Sequence, residues 1–127
     1  MTTEAISETN LGELLLTYGK AWNDHDADAI AALHTEDTRF CTHGVSETVK
    51  GRAAMRTAAA ETFERFPAFA SEPRKVLFGD DHWVLEWTVI SGDVRVDCVD
   101  IITIEDGLVK TKDSYFDIEQ LRIALAE

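Results

Sequence analysis

Cysteine is scarce. The two in this chain of 127 residues, Cys41 and Cys98, fall in separate expected strands and share no metal-ligand spacing. Neither a disulfide framework nor a zinc site is expected, and both read as free thiols. Positive charge is scarce too: 12 Lys and Arg stand against 24 Asp and Glu, a net charge of −12 spread along the chain. Such a surface repels nucleic acid and anionic membranes, so neither is an expected partner. No apolar run approaches bilayer-spanning length, and the opening MTTEAISETN lacks the basic start and apolar stretch of a signal peptide. A cytoplasmic protein is expected. Without internal repeats, linkers or low-complexity segments, the chain reads as one domain, 1–127, long enough for its own core.

What is present begins with a helical period. Leu11, Leu14, Leu15, Tyr18 and Trp22 recur at steps of three and four, one face of a helix over about 7–23, with Glu8, Glu13 and Lys20 opposite. Asn23-Asp24-His25 breaks the pattern, and Asp26 can cap a shorter helix over 27–33. A short strand at 38–42 and a polar loop at 43–48 follow. Gly51 precedes a third helix with the apolar stripe Met55, Ala58, Ala59, Thr62, Phe63 and Phe66, which Pro67 ends.

From Ala68 the period becomes two, with strands near 70–78, 82–91, 94–104 and 108–116 in an antiparallel meander. A three-residue loop at Glu105-Asp106-Gly107, with Gly107 left-handed, would set Ile104 against Leu108, Asp100 against Lys112, Cys98 against Ser114 and Val96 against Phe116. A two-residue turn at Gly92-Asp93 would pair Trp87 with Cys98 and Leu85 with Asp100, on the same inner face. Asp117 can cap a last helix through Ile118, Leu121 and Leu125, with Gln120 at the capping-box position. Helices first and sheet afterwards give an α+β architecture, the sheet burying one face against the helices. The other face keeps an apolar centre at Val84, Val99 and Ile101, which a homodimer would cover.

Asp100 puts a carboxylate among apolar neighbours, where it needs a partner or a task. Paired with Lys112, it is a structural ion pair of a pocket wall, or an acid, base or anchor for a ligand. Tyr18 is a core tyrosine with a satisfied hydroxyl, or a donor to a ligand oxygen near Asp100. His34 and His43 are the bases available at neutral pH near the pocket mouth, though each reads first as a surface histidine. His43 is preferred because it follows Thr42. Trp22, Phe40, Thr42, Met55, Phe63, Trp83, Trp87, Cys98, Ser114 and Phe116 would shape a cavity for a small apolar or aromatic molecule. No metal or cofactor is expected.

Three stretches carry a family resemblance: Tyr18-Gly19-Lys20-Ala21-Trp22-Asn23-Asp24-His25-Asp26-Ala27-Asp28-Ala29-Ile30; Gly51-Arg52-Ala53-Ala54-Met55-Arg56; and Glu105-Asp106-Gly107-Leu108-Val109 with Asp113-Ser114-Tyr115-Phe116-Asp117. They resemble the SnoaL-like branch of the nuclear transport factor two-like superfamily. The resemblance implies a cone-shaped fold, with N-terminal helices on the concave face of a curved antiparallel sheet. That fold hosts polyketide cyclases, ketosteroid isomerases and epoxide hydrolases. By resemblance to the isomerases, Tyr18 and Asp100 fall on the two donors to a developing enolate, while Thr42 stands where their proton-moving aspartate would be. Lys112 replaces an apolar residue of that family. Ser114 stands where limonene epoxide hydrolases carry a catalytic aspartate. The expected function is a small-molecule pocket of SnoaL-like type: a cofactor-free isomerase, cyclase or hydrolase with Tyr18, Asp100, Lys112 and His43 as catalytic candidates. The alternative is a non-catalytic ligand-binding or dimerisation domain.

Overall fold

The computed structural model describes residues 3–126, with side chains from residue 11 onward. The elements are α1 (Thr3–Asn23), α2 (Ala27–Ala32), β1 (His34–Thr42), β2 (Val49–Lys50), α3 (Arg52–Arg65), β3 (Ala70–Phe78), β4 (His82–Ser91), β5 (Val94–Glu105), β6 (Leu108–Phe116) and α4 (Ile118–Ala126). The strands form one curved sheet in the order β2-β1-β6-β5-β4-β3. The expected all-antiparallel sheet needs correction, because β1 runs parallel to β6 while every other neighbouring pair is antiparallel. A parallel pair needs a long crossover; here the route from β1 to β6 passes through α3 and the whole β3–β5 meander.

Helix α1 begins four residues before the expected Ser7, and the Glu8 side chain lies outside those described. Its stripe turns Leu11, Tyr18 and Trp22 into the core, against Trp83, Trp87, Val96, Cys98 and Ile102 from the inner sheet face. Asp26 accepts a hydrogen bond from Ala29 N at 2.9 Å and caps α2 as expected. In α3 the buried positions are Met55 and Ala59, and the helix stops two residues before Pro67. At α4, Asp117 accepts from Gln120 N at 3.0 Å. The Gln120 side chain does not close a capping box; it takes the Asp97 N–H at 2.7 Å and ties α4 to β5. Among the described residues no helix is long and apolar enough to cross a membrane.

The β4–β5 register agrees with the turn chemistry of Gly92-Asp93, with Trp87 opposite Cys98 and Leu85 opposite Asp100. The β5–β6 register differs. Asp106 takes φ 54° and Gly107 φ 76°, so the connection is a two-residue turn with Glu105 facing Leu108. A bulge then leaves Lys110 without a partner, since Ile104 faces Val109 but Thr103 faces Thr111. Asp100 therefore stands opposite Ser114, Ile102 opposite Lys112, and Cys98 opposite Phe116. Beyond the bulge the net slip is even, so Asp100, Lys112, Ser114 and Phe116 stay on the inner face, while before it Val109, fully buried, takes the place opposite Ile104 expected for Leu108.

Strand β1 also begins earlier than expected and is irregular. His34 pairs with Val109 and Arg39 with Thr111, so residues 35–38 arch away from the ladder between them. Arching of this kind lets His34 and Thr38 both be fully buried.

Candidate ligand site around Lys112

Two neighbouring strands deliver the charges. Asp100 on β5 and Lys112 on β6 project from the inner face with side chains only 4% and 5% exposed, Lys112 Nζ 3.9 Å from Asp100 Oδ2. That is a charge contact rather than a hydrogen bond. The bonds to Asp100 come from its other neighbours: Ser114 Oγ donates to Oδ1 at 2.7 Å and Cys98 Sγ at 3.3 Å. Burial first, and the Asp100 charge second, push the Cys98 thiol up, so it is no nucleophile at neutral pH.

On its other side Lys112 donates to the Tyr18 hydroxyl at 3.4 Å. Tyr18 lies 2.8 Å from His34 Nε2, and His34 Nδ1 lies 2.8 Å from Thr38 Oγ1. Thr38 settles the direction of this chain. Its hydroxyl proton goes to a β6 carbonyl, Lys110 O at 3.0 Å or Val109 O at 3.3 Å, so its oxygen accepts from His34 Nδ1–H. Nε2 is then an acceptor, and Tyr18 donates to it. The His34 carbonyl in turn accepts from Arg52 Nε at 3.0 Å and Nη2 at 2.9 Å, pinning β1 to the start of α3.

Burial, reinforced by the Lys112 and Arg52 charges, holds His34 down to about 3, so it is neutral at physiological pH. Burial raises the Tyr18 phenol even though Lys112 opposes the shift. For Lys112, burial pulls down while Tyr18 and Asp100 pull up more strongly, and the net is upward. With the Asp100 carboxylate 3.9 Å away, Lys112 is held as an ammonium. Its Nζ sits 4.1 Å from the Trp22 ring centroid, 5.2 Å from Tyr18 and 5.3 Å from Phe40, within cation–π range of all three rings.

The ammonium lies between two spaces. A cavity of about 500 Å³ opens between the inner sheet face, α3 and α4, and a chamber of about 40 Å³ lies behind it under α1. Of the residues expected from sequence, Trp22, Phe40, Thr42, Trp87, Lys112, Ser114 and Phe116 wall the large cavity. Tyr18, Trp83 and Asp100 wall only the inner chamber, which Trp22, Trp87 and Lys112 share. Met55, Phe63 and Cys98 are not in either wall. Met55 and Cys98 are core, while Phe63 stacks on His25 at 4.4 Å between centroids. His43 is apart from all of these. It stacks on Tyr115 at 4.3 Å and bonds Asp113 Oδ1 at 2.7 Å on the outer face, because neighbouring strand residues point to opposite sides.

Thr38 is the polar residue that the sequence passes over in silence, and His34, expected as a surface histidine or a base at the pocket mouth, is instead fully buried. Beginning the strand at residue 38 puts His34 in a connection; extending it by four residues would have put both on one face. Among the described residues no three His, Cys, Asp or Glu side chains converge as metal ligands. What the arrangement offers is a buried, positively charged side chain that lines both an apolar cavity and the inner chamber. Such a charge stabilises a negative or strongly polarised oxygen.

The fold has many solved relatives. A candidate SnoaL-like polyketide cyclase from Jannaschia sp. CCS1 superposes with a TM-score of 0.82 at 19% identity, covering 99% of this chain and 97% of that one. SalBIII, an epoxide hydrolase/cyclase-like enzyme in pyran ring formation in the polyether salinomycin, gives 0.76 at 20% identity over 89% and 95%. A candidate ketosteroid isomerase from Kribbella flavida DSM 17836 gives 0.71 at 23% identity over 82% and 75%. No curated protein matches the chain. Identities this low speak for the common fold and not for a common reaction. The SnoaL-like domain family matches residues 16–111, from Leu16 in α1 to the residue before Lys112, and the chain belongs to that family.

Proposed function

We propose that this protein binds a mostly apolar small molecule carrying one anionic or carbonyl oxygen, and holds that oxygen against Lys112. The observation that carries the reading is Lys112, its side chain 5% exposed, in the wall of a cavity of about 500 Å³ lined largely by apolar and aromatic side chains. A cavity of that size suits a drug-sized ligand. Tyr18 takes one of the three ammonium donors and Asp100 supplies charge without a hydrogen bond, leaving donors for a ligand. In the catalytic form of this reading, the protein is a cofactor-free isomerase, cyclase or hydrolase in which negative charge grows on the held oxygen.

The non-catalytic form is favoured by one specific feature: the surroundings of Lys112 offer no ready proton acceptor. Thr42 is no base, the Tyr18 proton is committed to His34, and Asp100 faces only the inner chamber. Among the carboxylates, Glu61 lines the large cavity, and it is exposed. A thermal-shift panel of steroids, polyketide-like aromatics, terpenoid epoxides and aromatic acids, each beside a neutral analogue, tests the reading. Acids or enolisable ketones should raise the midpoint and Lys112→Met should erase the rise; a panel without a single Lys112-dependent shift rejects it. We further propose that two copies pair through the outer sheet face, a reading supported by Ile101 and Tyr115, which are 38% and 45% exposed there.

A further inference from the structure

His43 and Cys41 lie outside the Lys112 site, and the sheet brings them together on its other side. Phe40 and Thr42 line the large cavity, so alternation sends Arg39 and Cys41 of β1, with His43 just past its end, to the outer face. The β1–β6 register sets Arg39 beside Thr111 and Cys41 beside Asp113, so these side chains meet on one surface. A pocket of about 190 Å³ opens there, walled by Arg39, Cys41, His43, Thr48, Thr111 and Asp113. None of these residues lines the large cavity or the inner chamber.

The charges of this pocket do not balance. Asp113, its one carboxylate, is already engaged by His43 Nε2 at 2.7 Å. Directly opposite Arg39 on β2 stands Lys50, and because its neighbour Val49 lines the large cavity, Lys50 shares the outer face with Arg39. Like charges directly opposite one another in an antiparallel pair are destabilising. Neither cation has a carboxylate partner among the described residues. Cations close by in the chain are treated differently: Arg52 reaches Glu36, and Lys110 reaches Asp37 and Glu105. With 24 acidic side chains against 12 basic ones, counter-ions are plentiful, yet these two facing cations are left without one beside an open polar pocket.

We propose that this outer-face pocket is a second ligand site, separate from the Lys112 cavity, and that it takes a phosphate group, free or at the end of a monoester. Arg39 offers the planar fork that matches phosphate oxygens, Lys50 adds a point charge, and Thr48 supplies a hydroxyl donor. The bound anion offsets the repulsion between the two cations. Isothermal titration of inorganic phosphate and of phenyl phosphate at low salt against wild type, Arg39→Gln, Lys50→Gln and Lys75→Gln tests this, with circular dichroism confirming that each variant is folded. Phosphate should bind wild type, and Arg39→Gln and Lys50→Gln should each weaken it by about tenfold, the loss expected for one charge-assisted contact. Lys75→Gln removes an exposed cation from β3, at the far edge of the sheet, and should change binding by less than about twofold. Phenyl phosphate binding alone, lost in Arg39→Gln, keeps the site and assigns it to monoesters; inorganic phosphate binding alone assigns it to the free ion. Absence of binding by either compound to wild type overturns the proposal. So does binding within about twofold of wild type in Arg39→Gln, or an equal loss in Lys75→Gln, which would mark attraction to surface cations at large.

Discussion

Ser114 Oγ donates to Asp100 Oδ1 at 2.7 Å, while Lys112, two residues earlier on the same face, stays 3.9 Å from the other carboxylate oxygen. Asp100 is therefore solvated by Ser114 and Cys98, and Lys112 is balanced by it without being consumed. The division depends on the Lys110 bulge, which moves Ser114 into the position opposite Asp100.

Removing either charge of this pair leaves the other buried and uncompensated. Lys112→Met and Asp100→Asn should each lower stability by about 3 kcal/mol in urea unfolding, the low end for breaking a desolvated pair because no direct hydrogen bond is lost. The double variant should cost clearly less than the two single losses added together. Strict additivity would mean that the charges do not feel one another.

His34 makes stability depend on pH in a definite direction. Its pKa falls from 6.5 in the unfolded chain to about 3 in the fold, so the unfolded state binds the proton more readily between those values. The His34 contribution is complete above the unfolded pKa of 6.5 and is lost as pH falls toward about 3, at about 1.4 kcal/mol per pH unit. Unfolding free energies measured from pH 7 to pH 4 should show a steeper decline in wild type than in His34→Gln. Equal slopes would contradict the buried neutral imidazole.

Tyr18 is one of two tyrosines, and burial lifts its phenol above the ordinary range. In a spectrophotometric alkaline titration, one tyrosine should ionise late and the delayed phase should vanish in Tyr18→Phe. The same substitution removes the donor to His34 and the acceptor for Lys112, at a cost of about 1–3 kcal/mol.

The proposed pairing of outer faces has its own readout. Light scattering should give a dimer mass for wild type and a monomer mass for Ile101→Lys, which places a charge at the exposed apolar centre. A monomer in wild type would remove the pairing and leave the Lys112 site untouched.

The sheet's sequence signals are uneven, and the reasons are local. The limits of β3, β4 and β6 follow from alternation bounded by glycine and aspartate turns, and the β4–β5 register follows from Gly92-Asp93. The β5–β6 register fails twice: Asp106-Gly107 forms the two-residue turn that this dipeptide favours where a three-residue loop was expected, and the Lys110 bulge has no composition signal. The parallel β1–β6 pairing is equally silent, being set by packing over a long separation in sequence. Because the slip is even, Asp100 and Lys112 still reach the same face. His34 was obscured by the arch at 35–38, and His43 belongs to the outer face by the same alternation that places Thr42 inside. Aromatic lining at Trp22, Phe40, Trp87 and Phe116 was legible because those positions repeat the inner-face periods of α1, β1, β4 and β6. Met55 shows the limit of that logic, since an inward period does not distinguish core from cavity wall.

The most direct test of the account is whether Lys112 selects the charge of a ligand. Isothermal titration of 2-naphthoate and its methyl ester against wild type and Lys112→Met isolates that property in two compounds of nearly equal apolar surface. Wild type should prefer the acid by about tenfold or more, the worth of one charge-assisted contact in a dry site, and Lys112→Met should lose the preference while remaining folded. The same acid-to-ester ratio in both proteins would contradict a ligand-facing ammonium and reduce Lys112 to a structural partner of Asp100.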